Sequence, residues 1–190
     1  MTVEVVAVTD ARGAVVEPDL LSKAESVHRQ LRPHLAANYS GRMKEVFGSG
    51  AEMAVALVDG EVAGVTVFRV IEKTFSGREL YCDDLVTDEH RRSKGVGRAL
   101  IQYMEKVGRE RKCDTLALDS GTQRQQAHKF YFREQLPITA SSSAKNSLTP
   151  ATGSRPGPDA QPGEAAPGSP SCRSWESGRR AASAATSSAR

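Results

Sequence analysis

Past Pro137 the chain offers almost nothing from which a core can be built. Residues 141–190 contain 12 Ser, 10 Ala, 6 Pro and 5 Gly, no Val, Ile, Phe or Tyr, and only Leu148 and Trp175 as large apolar side chains. Such a stretch cannot bury enough apolar surface to offset the entropy of ordering its backbone, so residues 139–190 are expected to form a disordered tail. Any packed fold must come from residues 1–138, a length sufficient for one domain with its own core. The same break locates the charge. The last fifty residues hold six Lys/Arg against three Asp/Glu, while the whole chain holds 26 against 23, so residues 1–140 carry 20 of each and are neutral. The basic excess belongs to the tail, lacks interleaved aromatics, and gives no ground for a nucleic-acid partner.

Three cysteines, Cys82, Cys113 and Cys172, make neither a disulfide framework nor a CxxC pair, so no structural metal is expected and a reducing compartment fits. The N-terminal "MTVEVVAVTDARG" lacks a basic segment followed by an apolar core, and no apolar run approaches the ~20 residues needed to cross a bilayer. The expectation is a soluble cytoplasmic protein with no membrane partner.

Within 1–138 the pattern alternates. "VEVVAV" (3–8) reads as a strand. After Pro18, Leu20, Leu21, Ala24, Val27 and Leu31 fall on one helical face. Pro33 suits the first turn of a second helix, "PHLAANYSGRMKEVF". "AEMAVALV" and "EVAGVTVFRV" flank Asp59-Gly60, a two-residue hairpin signal. "ELYCDDLVT" is another strand, "DTLALD" (114–119) a short one, and "QRQQAHKFYFREQL" a last helix. Between those strands, Val96, Ala99, Leu100, Tyr103, Met104 and Val107 form the most regular apolar face in the chain. The order indicates a mixed α/β layer fold, a central sheet with flanking helices.

Two glycines, Gly95 and Gly97, stand at the start of that regular helix although glycine weakens a helix by about 0.5–1 kcal/mol relative to alanine. A strand leading through glycines into a helix N-terminus can bind an anion: backbone N–H groups are unpaired there, and the helix dipole favours negative charge. Arg92, Lys94 and Arg98 add positive charge. The Walker pattern is absent, and the dinucleotide pattern GxGxxG fails at Leu100. What stands here is RxxGxG, from Arg92 through Gly95 to Gly97, directly after "DDLVT".

With "LVT-DEH-RRSKGVG" before the helix and "LDSGTQRQQAHKFYFRE" after it, the chain resembles the GNAT superfamily of N-acetyltransferases over roughly residues 3–136. "AHKFYFRE" also resembles a segment of acetyltransferases of small amines, the aminoalkylphosphonate type among them. The resemblance implies acetyl-CoA as cosubstrate and direct attack of a primary amine on the thioester. It implies that the strand before the glycine loop splays from its neighbour, so that the backbone of Leu85, Val86 and Thr87 pairs with the pantetheine arm. The pyrophosphate falls to Arg92, Ser93, Lys94, Gly95, Val96 and Gly97, with Arg98 adjacent. Ser120, after the strand "DTLALD", is placed near the pantetheine or else caps a turn.

Asp83 and Asp84 sit mid-strand, where aspartate is disfavoured. Adjacent strand residues face opposite sides unless a bulge intervenes. One of the two, Asp84 first, is a candidate base or counter-ion for the amine; the alternative is a salt bridge on the strand face. Tyr131 is the candidate acid that protonates the leaving thiolate, because a phenol with an ordinary pKa near 10 can donate at neutral pH; the alternative is an aromatic core residue. Tyr39 and Arg42, in the second helix, are weaker candidates for the acceptor pocket. The family's last helix usually ends at glycine and leads into two more strands; here Gln135, Leu136 and Pro137 follow, and "ITASSSAKNSLTP" carries no strand pattern. The fold is therefore expected to lack the usual C-terminal strand pair, as if a different reading frame or exon took over. Acetyl-CoA binding is expected to survive that loss better than turnover. The expected activity is acetylation of a small-molecule amine; protein lysine acetylation, or acyl-CoA binding without turnover, are the alternatives. A homodimer is the assembly common in the superfamily.

Overall fold

The Asp59-Gly60 turn sets the first half of the sheet. Both residues take left-handed backbone, with φ of 54° and 79°, the conformation that lets a two-residue hairpin follow the twist of its strands. β2 (Ala51–Val58) therefore returns at once as β3 (Glu61–Lys73). β1 (Val3–Ala7) pairs antiparallel with β2, and β4 (Gly77–Thr87) pairs antiparallel with β3. β5 (Thr115–Leu118) lies parallel to β4, completing the order β1-β2-β3-β4-β5. A parallel neighbour needs a crossover, which α3 (Val96–Glu110) provides. This is the mixed α/β sheet with flanking helices that the sequence pattern indicates. The computed structural model describes residues 2–138; the tail expected over 139–190, and with it the expected loss of a strand pair, lies outside them. No helix among the described residues is long and apolar enough to cross a membrane.

Two layers of helix bury the two faces of the sheet. α1 (Pro18–Leu31) and α2 (Tyr39–Gly48) cover one face, where Leu21, Ala24, Val27, Met43 and Phe47 pack on Met53, Val55, Val65 and Val67. α3 covers the other with Ile101 and Met104 against Phe68, Leu80 and Cys82. α4 (Gln125–Arg133) adds Phe130 to that second cluster. Each face alternates along the strands as a two-residue period requires: Val65 and Val67 point to α1, and Phe68 points to α3.

The second helix differs from expectation at its start. Pro33 does not open it; α2 begins at Tyr39, and the side chain of Asn38 accepts from the Gly41 N–H at 2.9 Å as the cap. A proline fits a first turn but does not create one, whereas an asparagine cap satisfies a donor that the helix leaves unpaired. Gln135 takes the left-handed φ of 62°, and Leu136 N–H donates to Tyr131 C=O at 2.9 Å, closing α4 where glycine would sit without strain.

Pairing between β3 and β4 slips once. Val67 stands opposite Asp84 and Phe68 opposite Cys82, which leaves Asp83 as the extra residue of a bulge. The bulge turns both carboxylates to the face that α1 covers: Asp84 meets α1 itself, and Asp83 meets Arg69, two residues on from Val67.

Candidate active site

The cleft begins where β4 loses a partner. β5 follows β4 only from Glu79 to Cys82, whereas β3 follows it as far as Thr87. Over Asp83–Thr87 the β5 side of β4 is therefore unpaired among the described residues. A strand edge left this way presents backbone N–H and C=O groups to any extended amide-bearing chain beside it. Leu85, Val86 and Thr87 line a cleft of about 1190 Å³ together with Arg92, Ser93, Gly95, Val96, Gly97 and Arg98 at the start of α3, and with Phe130 and Tyr131 of α4. Arg124 and Arg133 join Arg92 and Arg98 among its lining residues, and Glu134, the one acidic residue of the lining, stands 3.6 Å from Arg98.

The glycines of the loop serve different ends. Gly95 caps α3 with a φ of 83°, and a Cβ added there would meet nothing within 4 Å. Its role is conformational, and the space beside it is open. Ser93 also takes a left-handed φ, 62°, so the chain turns twice before the helix. Gly97 is different: a Cβ there would lie 2.9 Å from Cζ of Phe130. Gly97 lets α4 pack against the first turn of α3, which narrows the cleft. With no side chain at the cap, the first amides of α3 keep their donors for a ligand.

Tyr131 stands on the α4 wall, and burial raises its phenol above the ordinary value, so it is protonated at neutral pH. Cys82, buried nearby on β4, has its thiol pushed up to about 12 by burial and is not a nucleophile at neutral pH.

Asp84 lies beside the cleft rather than on its lining. Its Oδ2 accepts from His28 Nε2 at 3.0 Å, and its Oδ1 accepts from Arg32 Nε at 2.7 Å and from Arg32 Nη2 at 2.6 Å. Burial pushes its carboxyl up, but the bonds from His28 and Arg32 outweigh burial and hold it below the ordinary value. His28 is buried, and its Nδ1 meets the Tyr39 hydroxyl at 3.0 Å. Asp83 takes a two-pronged contact from Arg69, Nε at 2.8 Å and Nη2 at 2.6 Å.

The structure thus brings Leu85 to Thr87, Arg92, Ser93, Gly95 to Arg98 and Tyr131 to one cleft. Lys94, Ser120, Asp83, Asp84, Tyr39 and Arg42 are not on its lining. Lys94 points to solvent from the loop. Ser120 Oγ is buried without a partner among the described residues. Tyr39 is buried at the start of α2, and its hydroxyl meets His28 Nδ1. Arg42 is exposed and pairs with Glu45 at 2.9 Å one turn on. His28 is the residue that sequence reasoning passed over. It sits four positions after Ala24 and seven after Leu21, on the buried stripe of α1, and a polar residue on such a stripe needs a partner. Among the described residues no group of three His, Cys, Asp or Glu gathers as a metal site.

Residues 20–135 match the family model described as the acetyltransferase (GNAT) family. A curated relative, the uncharacterized N-acetyltransferase YhdJ of Bacillus subtilis (strain 168), is 42% identical over 55 residues, 29% of this chain and 39% of the relative. The chain thus matches about two fifths of that relative's length. Among solved structures, the aminoglycoside N-acetyltransferase AAC(6')-Iy in complex with CoA superposes with a TM-score of 0.66 at 14% identity, covering 78% of this chain and 96% of that one. The ribosomal-protein-alanine N-acetyltransferase of Brucella melitensis biovar Abortus 2308 gives 0.60 at 20% identity, covering 76% and 96%. Glucosamine-6-phosphate N-acetyltransferase of Arabidopsis thaliana gives 0.57 at 15%, covering 76% and 98%. At these identities the likeness is one of fold.

Proposed function

We propose that this chain, which belongs to the acetyltransferase (GNAT) family, moves an acetyl group from acetyl-CoA to a primary amine of a small molecule, with both substrates bound together. The observation that carries the reading is the β4 edge at Leu85–Thr87, unpaired on its β5 side among the described residues, which opens on a cleft lined also by the arginine-rich start of α3, where the Gly95 cap offers no side chain to the first amides. An edge of free amides beside an anion site suits one ligand with an amide-bearing arm and a pyrophosphate. Acetyl-CoA, once bound, supplies the acetyl group as a thioester.

The chain's own residues do the rest. The backbone of Leu85, Val86 and Thr87 aligns the arm, and the amides of Val96 to Arg98 with Arg92 and Arg98 hold the phosphates. Ser93 and Lys94 shape and charge the loop. Holding both reactants in one frame removes most of the entropic cost of their meeting. Asp84, kept ionised by His28 and Arg32, holds the ammonium as a counter-ion, and the amine that attacks is the fraction that has already lost its proton in equilibrium with bulk solvent. Tyr131 keeps its proton until the departing sulfur needs it. Asp83 is held by Arg69 on the same face.

The test is thiol release from acetyl-CoA across a panel of small primary amines and lysine-containing peptides, using the full 190-residue chain. Amine-dependent release with small molecules supports the reading. Release with peptides alone overturns the small-molecule class, and no release with any amine overturns transfer.

A further inference from the structure

Asp84 is held from two sides that differ in kind. On the inner side His28 is 1% exposed and locked by the Tyr39 hydroxyl, so Oδ2 has a fixed partner. On the outer side Arg32 is 55% exposed, and its long side chain alone brings the guanidinium to Oδ1. The carboxylate itself is 14% exposed beneath that cover. Arg32 also reaches the Asp83 C=O at 3.4 Å, so its guanidinium spans the bulge.

The position of this pair relative to the cleft gives it meaning. Leu31 and Leu85 both line the cleft, and each is the immediate chain neighbour of one member of the pair, Arg32 and Asp84. Gln30 ties this end of α1 to the segment after β4. Its Nε2 donates to Asp88 Oδ2 at 3.1 Å, and its Oε1 accepts from Glu89 N–H at 3.0 Å. The end of α1 is thus stapled in place, while the Arg32 side chain beyond it reaches Asp84 from the solvent side. Exchanging one cation for another on Oδ1 leaves the net charge at the site unchanged and needs no movement of His28 or of the strand.

We propose that Oδ1 of Asp84 is the seat of the acceptor's ammonium and that Arg32 is its tethered occupant, which the amine displaces on binding. The inference rests on the acetyl-transfer reading for what the bound amine then does. It makes Arg32 a determinant of amine affinity: the guanidinium competes with substrate, and only a compact cation reaches a carboxylate covered this closely. Because the Arg32 side of the pair is 55% exposed, solvent screens the contact from outside, which keeps the occupant displaceable and sets its penalty on amine affinity at about fivefold.

The test is an amide NMR titration of the full chain with propylammonium chloride, against equal sodium chloride, for wild type, Arg32→Ala, Arg32→Gln and the double variant Arg32→Ala/Asp84→Asn. The expected result is perturbation of the Leu31 and Leu85 amides and a Kd about fivefold lower in Arg32→Ala than in wild type. Millimolar guanidinium chloride should compete with propylammonium in Arg32→Ala, and the double variant should lose the site. Arg32→Gln, which keeps most of the side-chain stem, should bind like Arg32→Ala, and it stands in should the alanine variant misfold. An unchanged Kd on removing Arg32, or perturbation away from Leu31 and Leu85, overturns the proposal. A separate titration of wild type with acetyl-CoA keeps the two questions apart. Acetyl-CoA binding without an Arg32 effect sinks only this inference, whereas cation exchange at Asp84 without acetyl-CoA binding sinks the transfer reading.

Discussion

Gly97→Ala separates the two tasks of the glycine loop. The new Cβ would lie 2.9 Å from Phe130 Cζ and 3.4 and 3.5 Å from the next two ring atoms, so the ring or α4 must shift. Overpacking of this kind costs about 1–3 kcal/mol. The alanine returns about 0.5–1 kcal/mol of helix propensity. The net expectation is a loss of about 1 kcal/mol, or a melting point lower by about 4 °C for a domain of this size. In a Phe130→Ala background the obstruction is gone, and the same substitution should stabilise by about 0.5–1 kcal/mol. The double-mutant cycle, followed by urea unfolding and far-UV circular dichroism, should then show a coupling of about 1.5–2 kcal/mol. Gly95→Ala is the comparison: its Cβ meets nothing, its φ of 83° costs about 1–2 kcal/mol, and that cost should ignore Phe130. Equal effects of Gly97→Ala in both backgrounds would refute the assignment of Gly97 to helix packing.

Tyr131→Phe should lower kcat by about 10²-fold or more while acetyl-CoA still raises the melting point, read by thiol release and thermal unfolding. Asp84 gives a stability term with a defined sign. Its folded carboxyl titrates below its ordinary value of 3.8, so the stabilisation is fully present above that pH and is lost as pH falls through the lower folded value. Asp84→Asn should therefore flatten the acid limb of the stability curve below about pH 4, measured by urea midpoints across pH. Gln135→Gly should relieve the left-handed strain at the end of α4 and raise stability by about 0.5–1 kcal/mol, visible as a higher urea midpoint.

What the sequence makes legible is what short-range chemistry dictates. Asp59-Gly60 announces its hairpin because few other pairs accept two left-handed residues in succession. α3 announces itself because its apolar residues meet one sheet face with the helical period. The opening of β4 is implied only by the family resemblance, and in the structure it follows from β5 being only four residues long. The bulge at Asp83 is not legible, because it arises from the pairing of β3 with β4, and neither strand alone carries it. Without the bulge, the shared orientation of Asp83 and Asp84 is hidden too. Gly97 looks like a phosphate-loop glycine by position, yet its reason lies 33 residues away in Phe130. His28 left a faint mark, a polar side chain on the apolar stripe of α1, but its partners Tyr39 and Asp84 come from other elements.

The measurement that bears most directly on the central claim is thermal unfolding of the full chain with and without acetyl-CoA. A ligand bound only by the folded state stabilises it by about 2.7 kcal/mol at ~100 times its Kd. A cooperative transition that rises with acetyl-CoA, and rises less in a variant with Arg92 and Arg98 both changed to alanine, is the expected result. A cooperative transition that acetyl-CoA leaves where it was would contradict the assignment of the β4 edge and the α3 N-terminus as the acetyl-CoA site.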